Sequence, residues 1–300
     1  MNDIDSLPGL TSAKRAILEF GQFDSGVHAV LLYGSRGAGK HRLADSLAKT
    51  WLSAGDDEHP AAKSFENGRN ADFLLVEPMG PSRIIREIQL TPPKNASASD
   101  FKGVTVLEFL RTPPLASAKK VVLIRDADRM NTSSANVLLK SLEEPHEYAK
   151  FILTTTTVGS LPPTILSRCS AVACELPDDR RDDPLWKLAE GAPGRYEEFL
   201  QHEAVYRGIW QFAETLPNRG RAGALLAAET LKGIAEALQK ATDSNARTAN
   251  ADILELLAIA LRHQHPNWHF ARQQMIESHR RVVGNGNAAL VFDALMTSVL

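Results

Sequence analysis

A chain of 300 residues, 43% of them hydrophobic, is long enough for a large core and for two or three domains. Its 34 Lys and Arg nearly balance 36 Asp and Glu, so a net charge of −2 excludes nucleic-acid attraction by the chain as a whole and confines any such contact to a local patch. The cysteines Cys169 and Cys174 form no C-x-x-C pair and point to a reducing compartment; no apolar run reaches the roughly 20 residues of a membrane span, and the opening Met1–Asp5 is acidic, so a cytoplasmic protein without a membrane partner is expected.

Over the first 175 residues apolar runs alternate with helical patterns. Strands are predicted at Ala29–Tyr33, Phe73–Val76, Val121–Ile124, Phe151–Thr155 and Ala171–Cys174. Each is a short, nearly unbroken apolar run, as expected of a parallel sheet covered on both faces. Helical patterns at Arg42–Leu52, Val104–Leu110 and Ser133–Leu142 lie between them, so the region is predicted to be a doubly wound α/β domain. Two stretches are expected to be loops: the polar Gly55–Asp72, and Thr91–Gly103 with its Pro-Pro pair. Beyond Pro177 the charged Asp178–Asp183 reads as a hinge. Amphipathic patterns then follow at Ala222–Lys240 and Ala251–Leu261, with a last helix near Ala288–Leu300, so the final third is predicted to be all helical.

The chemistry begins at Gly34-Ser35-Arg36-Gly37-Ala38-Gly39-Lys40-His41, which fits G-x-x-x-x-G-K between a predicted strand and a predicted helix. Glycines Gly34, Gly37 and Gly39, with the helix N-terminus, make a cradle of N–H groups for an anion, and Lys40 is placed to reach outer phosphates. The hydroxyl that should follow, to hold Mg²⁺, is His41, whose imidazole suits a hard octahedral ion poorly. Val121–Ile124 then runs into Arg125 and Asp126, so a cation stands where such a strand should carry its metal-binding Asp. Asp126 is read as structural, paired with Arg125 or capping the next segment, and Asp128 and Arg129 as turn and surface charges. The motif therefore says nucleotide site, and its substitutions say that the site does not hydrolyse.

Ser167-Arg168-Cys169 follows Leu161-Pro162-Pro163 in a loop and short helix. An arginine there can project away from its own nucleotide site and act on the γ-phosphate of a neighbour, a role worth about 10³–10⁵ in rate. On the residues alone, a surface salt bridge and a trans-acting finger both remain open for Arg168.

Lys119–Met130, Asn136–Pro145, Phe151–Thr156 and Thr164–Cys169 together resemble the bacterial clamp-loader AAA+ subunits of DNA polymerase III, with the Asp126–Met130 run closest to the family's delta-prime branch. The resemblance is strong over residues 7–175 and weaker beyond. It implies an AAA+ P-loop domain with a five-stranded parallel sheet over residues 1–176, a short helical lid over 177–208 and a helical collar that oligomerises over 209–300. It also implies that Arg125 replaces the family's metal-binding Asp and Asp126 its catalytic Glu. The lid's sensing arginine falls on Gly194, with Arg195 displaced by one, and Thr155 or Thr156 matches the sensor threonine. Arg168 matches the family's arginine finger. The implied function is that of a stator: a subunit that fires no ATP itself, completes a neighbour's site in trans, and helps load a sliding clamp onto primed DNA. The implied partners are gamma/tau-like ATPase subunits, delta, the clamp and the DNA.

No cofactor is required on this reading, although ATP or ADP held weakly without Mg²⁺ is compatible with it; the alternatives to it are an active clamp-loader-type ATPase using Lys40 and Asp126, or an AAA+ module that holds nucleotide as a structural ligand. The four cysteines that many members carry as a zinc module are missing from Gly55–Asp72, so no zinc or other metal is expected. His263, His265 and His269 around Pro266 make a poor tetrahedral set. Lys102, Arg111, Lys119 and Lys120 are either a solvated loop face or a surface for DNA phosphates.

Overall fold

The apolar runs assemble into one all-parallel sheet of order β2-β3-β4-β1-β5, built from β1 Ala29–Tyr33, β2 Phe73–Val76, β3 Lys120–Ile124, β4 Ala149–Thr155 and β5 Ser170–Ala173. The chain is described here by a computed structural model covering residues 7, 9–22, 25–80, 83–92, 101–179 and 181–300. It divides into two units, residues 1–177 and 178–300.

The pleat sends alternate residues of the sheet to two separate cores, which is why these strands read as unbroken apolar runs. Val30, Leu32, Val121, Leu123 and Ile152 pack with α1 (Thr11–Phe20) and α2 (Lys40–Ser53) on one face. Leu31, Val122, Ile124, Phe151 and Leu153 pack on the other with α4 (Val106–Phe109), α5 (Thr132–Glu143) and α6 (Pro163–Leu166). Strands β3 and β4 start earlier than predicted, at Lys120 and Ala149, because two lysines enter the sheet with their charges satisfied locally. The Lys120 ammonium donates to Phe109 O (2.7 Å) and Thr112 Oγ1 (2.8 Å), and that of Lys150 donates to Val27 O. Lys120 is thus buried, and its pKa is lowered by desolvation, so it is no part of a DNA-facing patch.

The stretch Gly55–Asp72 is not all loop: it holds α3, Pro60–Glu66. His59 Nδ1 accepts from the Ala61 N–H at 3.1 Å, Pro60 occupies the first turn, and Ala61 and Ala62 are buried. The loop expected at Thr91–Gly103 falls largely on residues 93–100, which lie outside the described residues, as does Met1–Asp5. The short α4 that follows is set by a capping box between Thr105 and Glu108, so the pattern at Val104–Leu110 yields a single turn.

Residues 178–300 form α7 Pro184–Leu188, α8 Pro193–Gln201, α9 Glu203–Thr215, α10 Ala224–Thr242, α11 Ala246–Gln264, α12 His269–Val283 and α13 Ala288–Val299. One apolar cluster runs through them from Leu185 to Met296, and α9 continues across the position 208/209 expected to separate lid from collar. The segment read as a hinge is tied to this unit. Asp179 O accepts from Trp186 Nε1 at 2.8 Å, the Arg181 guanidinium lies 4.6 Å from the Trp186 ring, and Asp183 Oδ1 caps α7 through the Leu185 N–H at 2.9 Å. The narrow stripe of α12, Ala271, Met275, Ser278 and Val282, lies in an otherwise polar sequence and escaped the periodicity reading.

Asp72 fixes the entry into β3. Its buried carboxylate accepts the N–H groups of Leu115 (2.8 Å), Ala116 (2.9 Å) and Ser117 (2.9 Å). Desolvation pushes its pKa up, but these backbone donors outweigh it and the net shift is downward. A carboxylate held below its unfolded value stabilises the fold above that value, near 4, and loses the contribution as pH falls through the folded value. Urea unfolding of Asp72→Ala at pH 7 is expected to show a loss of about 2–3 kcal/mol. Asp72→Asn should show a flatter fall in stability than the wild type as pH drops below about 4.

Candidate functional site

Strand β1 delivers the glycine loop, and the loop is shaped as much by its own protein neighbours as by any ligand. A Cβ on Gly34 would meet Cys174 O at 2.5 Å, and one on Gly39, whose φ is +93°, would meet Leu10 Cδ1 at 2.9 Å. Lys40 opens α2 and is 5% exposed, its ammonium donating to Gly34 O (2.7 Å) and Ser35 O (2.8 Å). Desolvation lowers its pKa against the opposing pull of Cys174, Asp126 and Asp128. The lysine therefore braces the loop it belongs to and stands among the acids after β3.

Because all strands run in parallel, the ends of β3 and β4 meet the loop at one edge of the sheet. The guanidinium of Arg125 is held there from two sides. Nη2 donates to Asp45 Oδ1 (3.1 Å) and Oδ2 (3.2 Å) on α2, and Nη1 donates to Glu77 Oε1 (3.0 Å) just beyond β2. This corrects the expected pairing of Arg125 with Asp126. Asp126 adopts φ +51°, gives its N–H to Thr154 Oγ1 at 3.1 Å, and makes no side-chain cap to the turn that follows. His41 stands close enough to be influenced: partial desolvation, then the charge of Arg125, lowers its pKa, so the imidazole is neutral at pH 7.

Thr155 ends β4 fully buried, its Oγ1 3.0 Å from Asp128 Oδ1 and accepting the Thr157 N–H at 3.3 Å, whereas Thr156 is exposed. Asp128 is accordingly a partner of the sensor-like threonine and not a free surface charge. Asp45 and Glu77 were missed by the sequence reading. Asp45 had a visible signal, lying four residues after His41 and so on the same helix face.

These residues do not fit a magnesium ion. Mg²⁺ needs a near-octahedral set of oxygens. Here Asp45 and Glu77 are engaged by the Arg125 guanidinium, and the first helical turn offers an imidazole in place of a hydroxyl. The loop itself retains the form of an anion cradle.

Arg168 lies at the opposite edge. Strand β5 begins at Ser170, in register with Val30, whereas the glycine loop starts after Tyr33, in register with Ala173. That traverse is roughly 10–15 Å at 3.3 Å per residue. Nη2 of Arg168 pairs with Glu143 Oε1 at 2.7 Å, and Nη1 donates to Thr164 O (2.9 Å) and Ser167 Oγ (3.1 Å).

Arg195, the displaced lid arginine, is 7% exposed and pairs with Glu255 at 2.8 Å and Glu190 at 3.8 Å within the second unit. Among the described residues no group of three or more His, Cys, Asp or Glu could hold a metal ion, and His263, His265 and His269 form no such set.

A family model described as DNA polymerase III, delta subunit, matches residues 15–177, more than half of the chain. The chain belongs to this family. The segments that carried the resemblance, Lys119–Met130, Asn136–Pro145 and Thr164–Cys169, all lie inside the matched span. Similar relatives include DNA polymerase III subunit delta' of Pseudomonas aeruginosa, 37% identical over 187 residues, 60% of this chain and 52% of that protein. The DNA polymerase III subunit gamma of Buchnera aphidicola subsp. Acyrthosiphon pisum is 35% identical over 149 residues, 47% of this chain and 37% of that protein. The chain thus spans about half or less of the length of these relatives. A DNA polymerase III, gamma subunit-related protein from Thermotoga maritima superposes with a TM-score of 0.55 at 20% identity, over 97% of this chain and 98% of that one. The five-stranded parallel sheet and the all-helical part expected from the sequence are the fold observed.

If Arg125 and His41 are what bar the metal, restoring an acid and a hydroxyl should admit it. In the double variant His41→Thr, Arg125→Asp, ATP affinity measured by calorimetry should rise at least about tenfold with Mg²⁺ over EDTA, the scale of a repaired metal set. The wild type should respond to EDTA little or not at all.

Proposed function

We propose that this delta-family chain is the stator-like, delta-prime type subunit of a clamp loader: it hydrolyses no ATP itself and lends Arg168 to the nucleotide site of a neighbouring gamma/tau-like ATPase. Through that assembly, with delta and the sliding clamp, it helps place the clamp on primed DNA in the cytoplasm. The observation that carries the reading is the separation of its two arginines. Arg125 fills the cation position of the chain's own site, pinned by Asp45 and Glu77. Arg168 stands at the other edge of the sheet, where it cannot serve that site and can meet a second subunit. An arginine supplied in trans stabilises charge on the transferring phosphoryl group, which a stator can do without a working site of its own.

A second reading has one observation in its favour. The glycine loop, helix N-terminus and Lys40 persist although the metal position is lost, which suits a nucleotide held as a structural ligand without Mg²⁺. Calorimetric titration with ATP and ADP in EDTA separates the two readings, since no heat at millimolar nucleotide leaves the loop purely structural.

For the principal proposal, Arg168→Ala is expected to cut the ATPase rate of a reconstituted loader by about tenfold or more, at the low end of the arginine-finger range because other sites remain. Unchanged turnover in an intact assembly would rule out the finger.

A further inference from the structure

We propose that Glu143 is the positioning residue of Arg168, orienting its guanidinium for the phosphate that a neighbouring subunit presents. This rests on the trans-finger reading of Arg168 and adds a residue to it.

A guanidinium carries five N–H donors in a rigid plane, so its usefulness to a phosphate depends on how that plane is turned. Three contacts turn it here. Nη1 gives its donors to Thr164 O at 2.9 Å and Ser167 Oγ at 3.1 Å, and Nη2 lies 2.7 Å from Glu143 Oε1 in an ion pair. Thr164 and Ser167 are neighbours of Arg168 along the chain and move with it. Glu143 is the contact from a different element, the end of α5, and so it ties the finger to the body of the sheet domain. Among the described residues no hydrogen bond engages Nε or Nη2, which leaves donors for a phosphate while the ion pair and the Nη1 contacts hold the plane.

The placement of Glu143 is not one that a helix favours. It ends α5 and is followed by Glu144, which puts two carboxylates at the negative pole of the helix dipole. Nor does the pair add much to stability, since the two side chains are 33% and 41% exposed and solvent screens them. Orientation is what the contact supplies. Glu144 provides an internal control: it is equally acidic, exposed, adjacent, and makes no contact with Arg168 in this arrangement.

The test uses the complete chain reconstituted with gamma/tau-like ATPase subunits and delta, with assembly checked by gel filtration and kcat and KM for ATP measured separately. Glu143→Ala is expected to lower kcat by about three- to tenfold with KM unchanged, since misplacing a reacting group by a fraction of an ångström carries such a cost. Glu143→Gln, which keeps an acceptor oxygen, should restore kcat to within about twofold, and Glu144→Ala should match the wild type. Glu143→Asp keeps the charge but withdraws the oxygen by one methylene; it should fall with Glu143→Ala, and it carries the test if the alanine variant fails to assemble. A Glu143→Ala ring as active as wild type, while Arg168→Ala is impaired, overturns the positioning role and leaves the finger standing. A Glu143→Ala ring that is faster than wild type also overturns it, because the carboxylate then restrains the arginine. If Arg168→Ala itself turns over normally, the finger reading fails and the role of Glu143 falls with it.

Discussion

Every strand of the sheet runs in one direction, and that constraint sorts the chemistry of the first unit. All C-terminal strand ends lie on one edge and all N-terminal ends on the other. Gly34–Lys40 follows β1, Arg125 and Asp126 follow β3, and Thr155 ends β4, so they are brought together although the three segments are far apart in sequence. Arg168 precedes β5, and Glu143 ends the helix that returns the chain to the start of β4, so the same rule sends both to the far edge. An antiparallel sheet of the same strands would have mixed the two sets.

At the first edge, one guanidinium stands between two carboxylates. Asp45, Glu77 and Arg125 form a fork closed from two sides, with side chains between 23% and 50% exposed. Pairs so open to solvent add little to stability. Their consequence is occupancy: the carboxylates of Asp45 and Glu77 are committed to a guanidinium. His41, its pKa lowered by desolvation and by that cation, completes a site with the outline of a nucleotide cradle and an imidazole where the motif calls for a hydroxyl.

In the second unit, Arg195 turns into the helical core. There it meets Glu255 and Glu190 and lies 5.4 Å from the ring of Phe199. Removing Glu255 would leave a buried guanidinium short of its nearest partner, a costly arrangement, which makes the pair a structural strut of that unit.

Much of this was legible in the order of residues. Unbroken apolar runs fixed the strands β1 and β2 to the residue, because a strand buried on both faces leaves a local signature. The glycine loop and the substitutions at His41 and Arg125 are likewise local patterns, and so is the match of Asn136–Pro145 and Thr164–Cys169 to the family. What local pattern could not carry were contacts between residues far apart in the chain. The holding of Arg125 by Asp45 and Glu77 spans 80 and 48 residues, and the bond of Thr155 to Asp128 spans 27. Burial of Lys120 and Lys150 was hidden for the same reason, since a charge looks exposed until the chain that supplies its acceptors has been folded around it. The sequence by itself determined the sheet, the cradle and the family. Only the tertiary structure decided which charges neutralise which, because side-chain pairing depends on the distances that packing sets and not on separation along the backbone.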